Sequence, residues 1–228
     1  MDIKKYKYQD RIFVSVDCII FGFDGRQINA LLIKRAFEPG KGKWSLMGGF
    51  VGKDEDVADA AARVLKQLTG LTDIYMEQLY CFGEANRDSA RRVVSIAYSA
   101  FINIAEYNEQ LSTEHQARWF PIHKIPSLVF DHKQMLKKAK EVMMEKVSRH
   151  PIGFELLPTK FTLSQLQSLY EAICETTFDN GNFAKKILST NILKKMNEKE
   201  RSSRKGAFYY VFDKINYERL QRNGIRFI

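Results

Sequence analysis

From Arg11 to Phe23 apolar and polar positions first alternate and then merge into a largely apolar run, Phe13, Val14, Val16, Cys18, Ile19, Ile20 and Phe21. That is the pattern of a strand buried in a sheet. Asp24-Gly25 supplies a hairpin turn into a second strand, Ile28 to Ile33. Lys34 and Arg35 end it, and a loop punctuated by glycine and proline, Glu38 to Trp44, leads to a further apolar stretch, Leu46 to Val51. Strand patterns return at Ile74 to Phe82 and Val93 to Ile104, separated by a polar, charged loop, Asn86 to Arg92. Trp119-Phe120-Pro121 and Leu128 to His132 then lead into a helix from about His132 to Val147, whose Met135, Leu136, Ala139, Val142, Met143 and Val147 fall on one stripe. Asp17 alone breaks the apolar character of the first strand. Burying a carboxylate is costly unless it is paired or hydrogen-bonded, so Asp17 faces either a polar cavity or a structural partner such as a backbone amide.

The pattern changes at His150-Pro151-Ile152-Gly153, where proline and glycine break the preceding helix. This predicts two domains, 1–148 and 149–228. Beyond a short apolar segment, Glu155 to Leu157, Thr162 opens a helix with Gln165 three residues on, a capping-box spacing, and Leu163, Leu166, Leu169, Tyr170 and Ile173 make its buried stripe. A turn from Glu175 to Asn180 precedes a second helix, Asn182 to Ser189, with Phe183, Ile187 and Leu188 toward the core and Asn182, Lys185 and Lys186 outward. Two strands, Ile192 to Glu198 and Ala207 to Phe212, flank a basic turn. With the helix at 132–147 leading it, this order is that of a winged helix-turn-helix. In such domains the second helix of the pair enters the major groove while basic groups nearby hold phosphates. Asn182, Lys185 and Lys186 on the helix, with Arg201, Ser203, Arg204 and Lys205 in the wing, are the candidate DNA-binding residues.

Charge placement supports that reading. The net charge of the 228 residues is +9, and between Lys185 and Lys205 eight Lys and Arg stand against two Glu. A local excess of this kind attracts polyanions, with affinity that falls as salt rises. Cys18, Cys81 and Cys174 are far apart and form no Cys-x-x-Cys pair, so neither a zinc site nor a disulfide framework is expected. The four histidines show no ligand spacing and are assigned no chemistry. The charged start and the lack of a long apolar run predict a cytoplasmic protein without a membrane span.

The stretch from Gly49 to Leu71 carries a glycine, a glutamate six on, an arginine eight after that and a closing glycine-hydrophobic pair: Gly49, Glu55, Arg63, Gly70 and Leu71. This resembles the signature of Nudix hydrolases and implies an α/β/α sandwich. In that family the arginine opens a run whose three glutamates bind divalent metal and help activate water. Here Val64, Gln67 and Leu68 stand in those places, and with Ala60 they share one neutral helix face. A hard divalent cation needs clustered carboxylates, so the expectation is a Nudix fold without Nudix hydrolysis, with no catalytic residue, no metal and no cofactor. The acids Asp54, Glu55, Asp56 and Asp59 read as helix-start residues. The alternative is an active hydrolase on a relocated set, Asp54, Glu55, Asp59 and Glu84. The resemblance also implies that Arg35, Lys43, Trp44 and the Gly48-Gly49 backbone border a ligand cleft. Trp44 either stacks on a ligand or anchors the core.

A degraded Nudix domain followed by a winged helix resembles the Nudix-related transcriptional regulators of bacteria. Phe130-Asp131-His132, Leu156 to Pro158, Phe161 to Ile173 and Asn182 to Leu188 are the local matches. The resemblance implies a homodimer that represses by binding a palindromic double-stranded DNA operator and is released by a small molecule. That effector is ADP-ribose in one branch and a sugar or sugar phosphate in others. The loss of the glutamates favours a neutral sugar, with L-arabinose as the expected effector, held by Asp17, Lys43 and Arg35 in a mostly apolar pocket.

Overall fold

The structure, a computed structural model, describes residues 10–149, 153–200 and 206–222. Strands β1 (Phe13–Phe23) and β2 (Ile28–Lys34) form the hairpin expected from Asp24-Gly25. The Asp24 carboxylate holds the turn by accepting the N–H groups of Arg26 and Gln27, each at 2.9 Å. β3 (Trp44–Ser45) pairs with β2, and β4 (Met47–Phe50) runs antiparallel to β1. After helix α1 (Val57–Thr69) come β5 (Glu77–Phe82) and β6 (Val93–Asn103). β6 lies parallel to β1 along its whole length, from Phe13 opposite Val93 to Phe23 opposite Asn103. A short helix α2 (Ile104–Tyr107) leads to β7 (Arg118–Pro121), which pairs with β2. The mixed sheet has the order β3-β2-β1-β6-β5, with β4 and β7 joined to β1 and β2.

Side chains alternate across a strand, and β1 shows what that does here. Val16, Cys18 and Ile20 face α1, where Ala60, Ala61, Val64 and Leu65 complete one apolar cluster. Ile19 and Phe21 face the opposite side, where helix α3 (His132–Arg149) places Met135, Leu136, Ala139, Met143 and Val147. Asp17 shares that second side, so the parity of β1 alone directs its carboxylate toward α3.

The second cluster does not stop at α3. It continues through Leu156, Phe161, and Leu166, Leu169, Tyr170 and Ile173 of α4 (Leu163–Cys174) to Phe183 and Ile187 of α5 (Asn180–Ser189). β8 (Phe161–Thr162), β9 (Leu193–Lys199) and β10 (Phe208–Phe212) form a second sheet in the order β8-β10-β9, followed by α6 (Lys214–Arg222). The capping box of α4 is present in both halves: Thr162 Oγ1 accepts the Gln165 N–H at 3.2 Å and Gln165 Oε1 accepts the Thr162 N–H at 2.8 Å. The α/β sandwich and the winged helix are thus as expected, with one continuous core between them.

Several local expectations change. β5 starts at Glu77 rather than Ile74, because Asp73 takes φ 59° and turns the chain, leaving Ile74 and Met76 to pack beside the α1 cluster. α5 starts at Asn180, where Asp179 caps it by accepting the Asn182 N–H at 2.8 Å. Leu188 is 39 % exposed rather than buried; it follows Ile187 by about 100° around the helix and falls off the Phe183–Ile187 stripe. Asp54, Glu55 and Asp56 precede α1, and only Asp59 lies in its first turn.

Candidate functional site

Asp17 is 4 % exposed, and of the two settings considered for it, a polar cavity or a structural partner, it takes the second, with side chains as its partners. Ser95 Oγ, on β6, donates to Asp17 Oδ2 at 2.5 Å. Arg87 Nη2 lies 3.7 Å from the same oxygen, and His132 Nε2 lies 3.4 Å from Oδ1. His132 Nδ1 accepts the backbone N–H of Leu46 at 3.1 Å, which leaves the proton on Nε2, toward the carboxylate. Burial pulls His132 down to about 3, so the ring is neutral near pH 7 and its contact with Asp17 is no ion pair. Burial raises Asp17 to about 6, against the pull of the Ser95 hydroxyl and the Arg87 guanidinium. Arg87 itself makes two parallel bonds to Asp131, Nε to Oδ2 at 2.8 Å and Nη2 to Oδ1 at 2.7 Å. Its side chain and that of Asp131 are 5 % and 11 % exposed.

Beside this network opens a cavity of about 560 Å³ lined by Pro39, Gly40, Lys43, Trp44, Ser89, Ser127, Leu128, Val129 and Phe130. Lys43 and Trp44, two of the candidate effector residues, thus line one cavity. Arg35 stands at the margin, its Nε donating to Pro39 O at 2.9 Å and its guanidinium lying over the rings of Phe37 (4.7 Å) and Phe130 (5.1 Å). Trp44 packs edge-on against Phe120 at 4.7 Å, and the residue also lines the cavity. Asp17, Gly48 and Gly49 are not among the lining residues. The glycines answer to packing, since a Cβ would lie 2.4 Å from Asp17 Oδ1 at Gly48 and 2.6 Å from Val64 Cγ2 at Gly49. A second cavity of about 560 Å³, with Tyr75, Phe101, Phe154 and Tyr217 in its wall, lies where the large sheet meets the winged helix and contains none of the candidate residues.

Sequence reasoning missed Arg87, Ser95, Asp131 and His132 as one group; His132 enters it as a neutral hydrogen-bonding ring, with no metal-ligand or catalytic part. The Phe130-Asp131-His132 motif and the charge of the 86–92 loop were the available signals. Nothing in their periodicity says that they meet.

The signature stretch keeps its frame through contacts that need no metal. Arg63 grips Glu55 through Nη2 at 2.5 Å and Nε at 2.9 Å, and also donates to Phe50 O at 2.9 Å. Glu55 further accepts the Gly52 N–H at 2.6 Å, and these bonds hold its carboxyl down at about 2. Gly70 closes α1 in the left-handed region, φ 83°, where glycine alone is unstrained, and Leu71 is buried. At the three positions that resemblance assigns to metal-binding glutamates, Val64 lies buried under Gly49, Leu68 packs on the apolar cluster and Gln67 is exposed. This helix face does not fit a hard divalent ion, and among the described residues no three acidic, His or Cys side chains are grouped to hold a metal.

In the winged helix Asn182, Lys185 and Lys186 are all exposed on α5. Gln167 of α4 fixes the start of α5 by donating to Phe178 O at 2.9 Å and to Asn180 Oδ1 at 2.8 Å. On β9, Lys194 pairs with Asp213 at 2.9 Å, while Lys195 and Lys199 lie over the Phe208 ring. Arg201, Ser203, Arg204 and Lys205 lie outside the described residues. No described helix is long and apolar enough to cross a membrane.

Known proteins carry the same two parts. Residues 11–139 match the model of the NUDIX domain, and residues 153–212 match that of the NrtR DNA-binding winged helix domain. The chain is 29 % identical over 209 residues to an ADPR responsive transcriptional repressor, NtrR, of Acinetobacter baylyi, covering 90 % of this chain and 84 % of that one. The crystal structure of Shewanella oneidensis NrtR complexed with a 27mer DNA superposes with a TM-score of 0.81 at 25 % identity, covering 94 % of this chain and 97 % of that one. The NUDIX domain of the same NrtR complexed with ADP ribose matches with a TM-score of 0.51 at 27 % identity, over 62 % of this chain and 99 % of that one. With a NUDIX domain over more than half its length and an NrtR-type winged helix behind it, the chain belongs to the Nudix family and is homologous to the ADP-ribose responsive NrtR repressors.

Proposed function

We propose that the protein is a DNA-binding transcriptional repressor whose NUDIX domain binds an ADP-ribose-like nucleotide in place of hydrolysing it, and that binding releases the operator. The observation that carries this reading is the signature helix, which sets Val64, Gln67 and Leu68 where a hydrolase of this family needs carboxylates, in a chain that continues into a winged helix. ADP-ribose replaces the arabinose expected from the sequence. The repressor and the NUDIX domain it resembles are described with ADP-ribose, and Arg35 and Lys43 beside the cavity suit a diphosphate better than a neutral sugar. In this reading the boundary between effector and DNA-binding domains falls near residue 149, at the end of α3.

The protein acts as a homodimer, so that two copies of α5 reach successive half-sites of a palindromic operator, with Asn182, Lys185 and Lys186 toward the groove and Arg201, Ser203, Arg204 and Lys205 on the backbone. Release requires that the effector favour an arrangement in which the two helices no longer match the half-site spacing. A coupling of roughly 2 to 3 kcal/mol weakens operator binding by about 30- to 150-fold. The test is fluorescence anisotropy on a duplex selected by the protein from a random library, at fixed salt, with and without saturating ADP-ribose. Unchanged affinity refutes the switch. The competing hydrolase reading, on Asp54, Glu55, Asp59 and Glu84, is disfavoured by the engagement of Glu55 with Arg63 and Gly52. Magnesium-dependent release of AMP from ADP-ribose at ordinary enzyme rates would reinstate it.

A further inference from the structure

We propose that the Arg87–Asp131 ion pair is the coupling element through which occupancy of the cavity beside Trp44 reaches the DNA-binding helix. This rests on the effector reading above and names its transmission.

Both partners sit next to cavity wall. Ser89 lines the cavity two residues beyond Arg87, and Phe130 lines it immediately before Asp131. A ligand that touches Ser89 and Phe130 therefore acts on the two segments that the ion pair ties together. Phe130 holds φ 50°, a left-handed conformation that a bulky residue rarely adopts, so the segment carrying Asp131 is kept under strain.

Arg87 also has two carboxylates within reach, Asp131 at 2.7 Å and Asp17 at 3.7 Å. Its planar fork can satisfy one of them in full at a time, so the ligand-driven change is an exchange of partner from Asp131 to Asp17.

From Asp131 the path to the winged helix is covalent and then packed. The Asp131 carbonyl accepts the N–H groups of Gln134 at 2.8 Å and Met135 at 3.1 Å, so this residue fixes the first turn of α3. Met135, Ala139, Met143 and Val147 of α3 share one core with Leu166, Leu169 and Tyr170 of α4. Lys140 of α3 bonds Glu175, the residue that closes α4, at 2.6 Å. Gln167 of α4 then holds the start of α5 through Asn180. Through these contacts a shift of α3 set by Arg87 reaches α5, which bears Lys185 and Lys186.

The experiment uses the full chain and measures three quantities: ADP-ribose affinity by calorimetry, affinity for the selected duplex alone, and affinity for that duplex under saturating ADP-ribose. Arg87→Lys keeps the buried positive charge and loses the two parallel bonds. It is expected to hold both separate affinities within roughly threefold of native while effector-driven release drops from about 30-fold or more to under about fivefold. Exposed Arg91→Ala, on the same loop, is expected to release like the native chain. Should the lysine variant fail to fold, the near-isosteric Asp131→Asn is read by the same three measurements. A folded variant that releases operator as fully as native overturns the coupling role and leaves the effector reading standing. A native protein that ADP-ribose does not release overturns both.

Discussion

Gly48 stands opposite Asp17 across the β1–β4 pair, and a Cβ added there would lie 2.4 Å from Asp17 Oδ1. The absent side chain leaves the room in which the carboxylate meets Ser95, Arg87 and His132. Gly48→Ala must displace that carboxylate, an overpacking that costs about 1 to 3 kcal/mol. Urea denaturation at pH 7 measures it as a lower midpoint with an unchanged slope.

Asp17 and His132 impose opposite pH dependences on stability. The folded Asp17 carboxyl, at about 6, takes up a proton more readily than the unfolded one, at 3.8; its contribution is fully present below pH 3.8 and is lost as pH rises through 6. His132, at about 3 against 6.5, stays neutral on folding, so acid favours the unfolded chain from 6.5 down to 3. Between pH 6 and 4 the two slopes oppose each other. Asp17→Asn removes only the first, and its stability relative to native is expected to fall by about 1 kcal/mol per pH unit on going from pH 6 to 4. Parallel stability curves for the two proteins would refute this.

The division of labour along the sequence explains what could be read in advance. β1, β2, α1, α3 and α4 bury a long face or stripe, so their period and their caps announce them: Thr162 and Gln165 make the expected capping box, and Gly70 closes α1. The cavity was legible only at Lys43, on a loop of recognisable composition, and at Trp44, where β3 begins. Asp17, Arg87 with Ser95, and His132 come from three segments far apart in the chain and converge because β6 runs parallel to β1 and α3 crosses the same face. Neither register nor crossing leaves a trace in local periodicity. Leu188 failed for a smaller reason, one step of helical rotation.

The Glu55–Arg63 latch makes its own acid signature. Glu55 is held at about 2 against 4.5 in the unfolded chain, so the stability it contributes is present above pH 4.5 and is lost as pH falls toward 2. Glu55→Gln is expected to lose part of that dependence and to loosen the segment from Phe50 to Gly52 that the latch ties to α1. Amide hydrogen exchange of Val51 and Gly52 at neutral pH reads the second effect, and unchanged protection there would contradict the structural role given to the pair.

Thr162 caps the helix on which α5 is mounted. Thr162→Ala removes the acceptor for the Gln165 N–H and costs about 1 kcal/mol, seen as a lower thermal midpoint. Gln165→Ala, which removes the reciprocal bond to the Thr162 N–H, is expected to act in the same direction.

Lys185 and Lys186 are the described basic groups of α5, and their exposure leaves their ammonium groups free to meet DNA. Neither supports the core, which α5 reaches through Phe183 and Ile187. Lys185→Glu or Lys186→Glu should therefore leave the melting temperature within a degree or two, roughly the scale of a surface substitution, and lower affinity for the selected duplex. If a lysine contacts phosphate, loss is uniform across sequences and the slope of log affinity against log salt falls by about one. If it reads a base, discrimination against scrambled duplex narrows while the slope changes less, by roughly 1 to 3 kcal/mol at the position it contacts. Asn182→Ala, without a charge to lose, should narrow discrimination with the salt slope intact. Full retention of affinity by both lysine variants would place the DNA on another face of the winged helix.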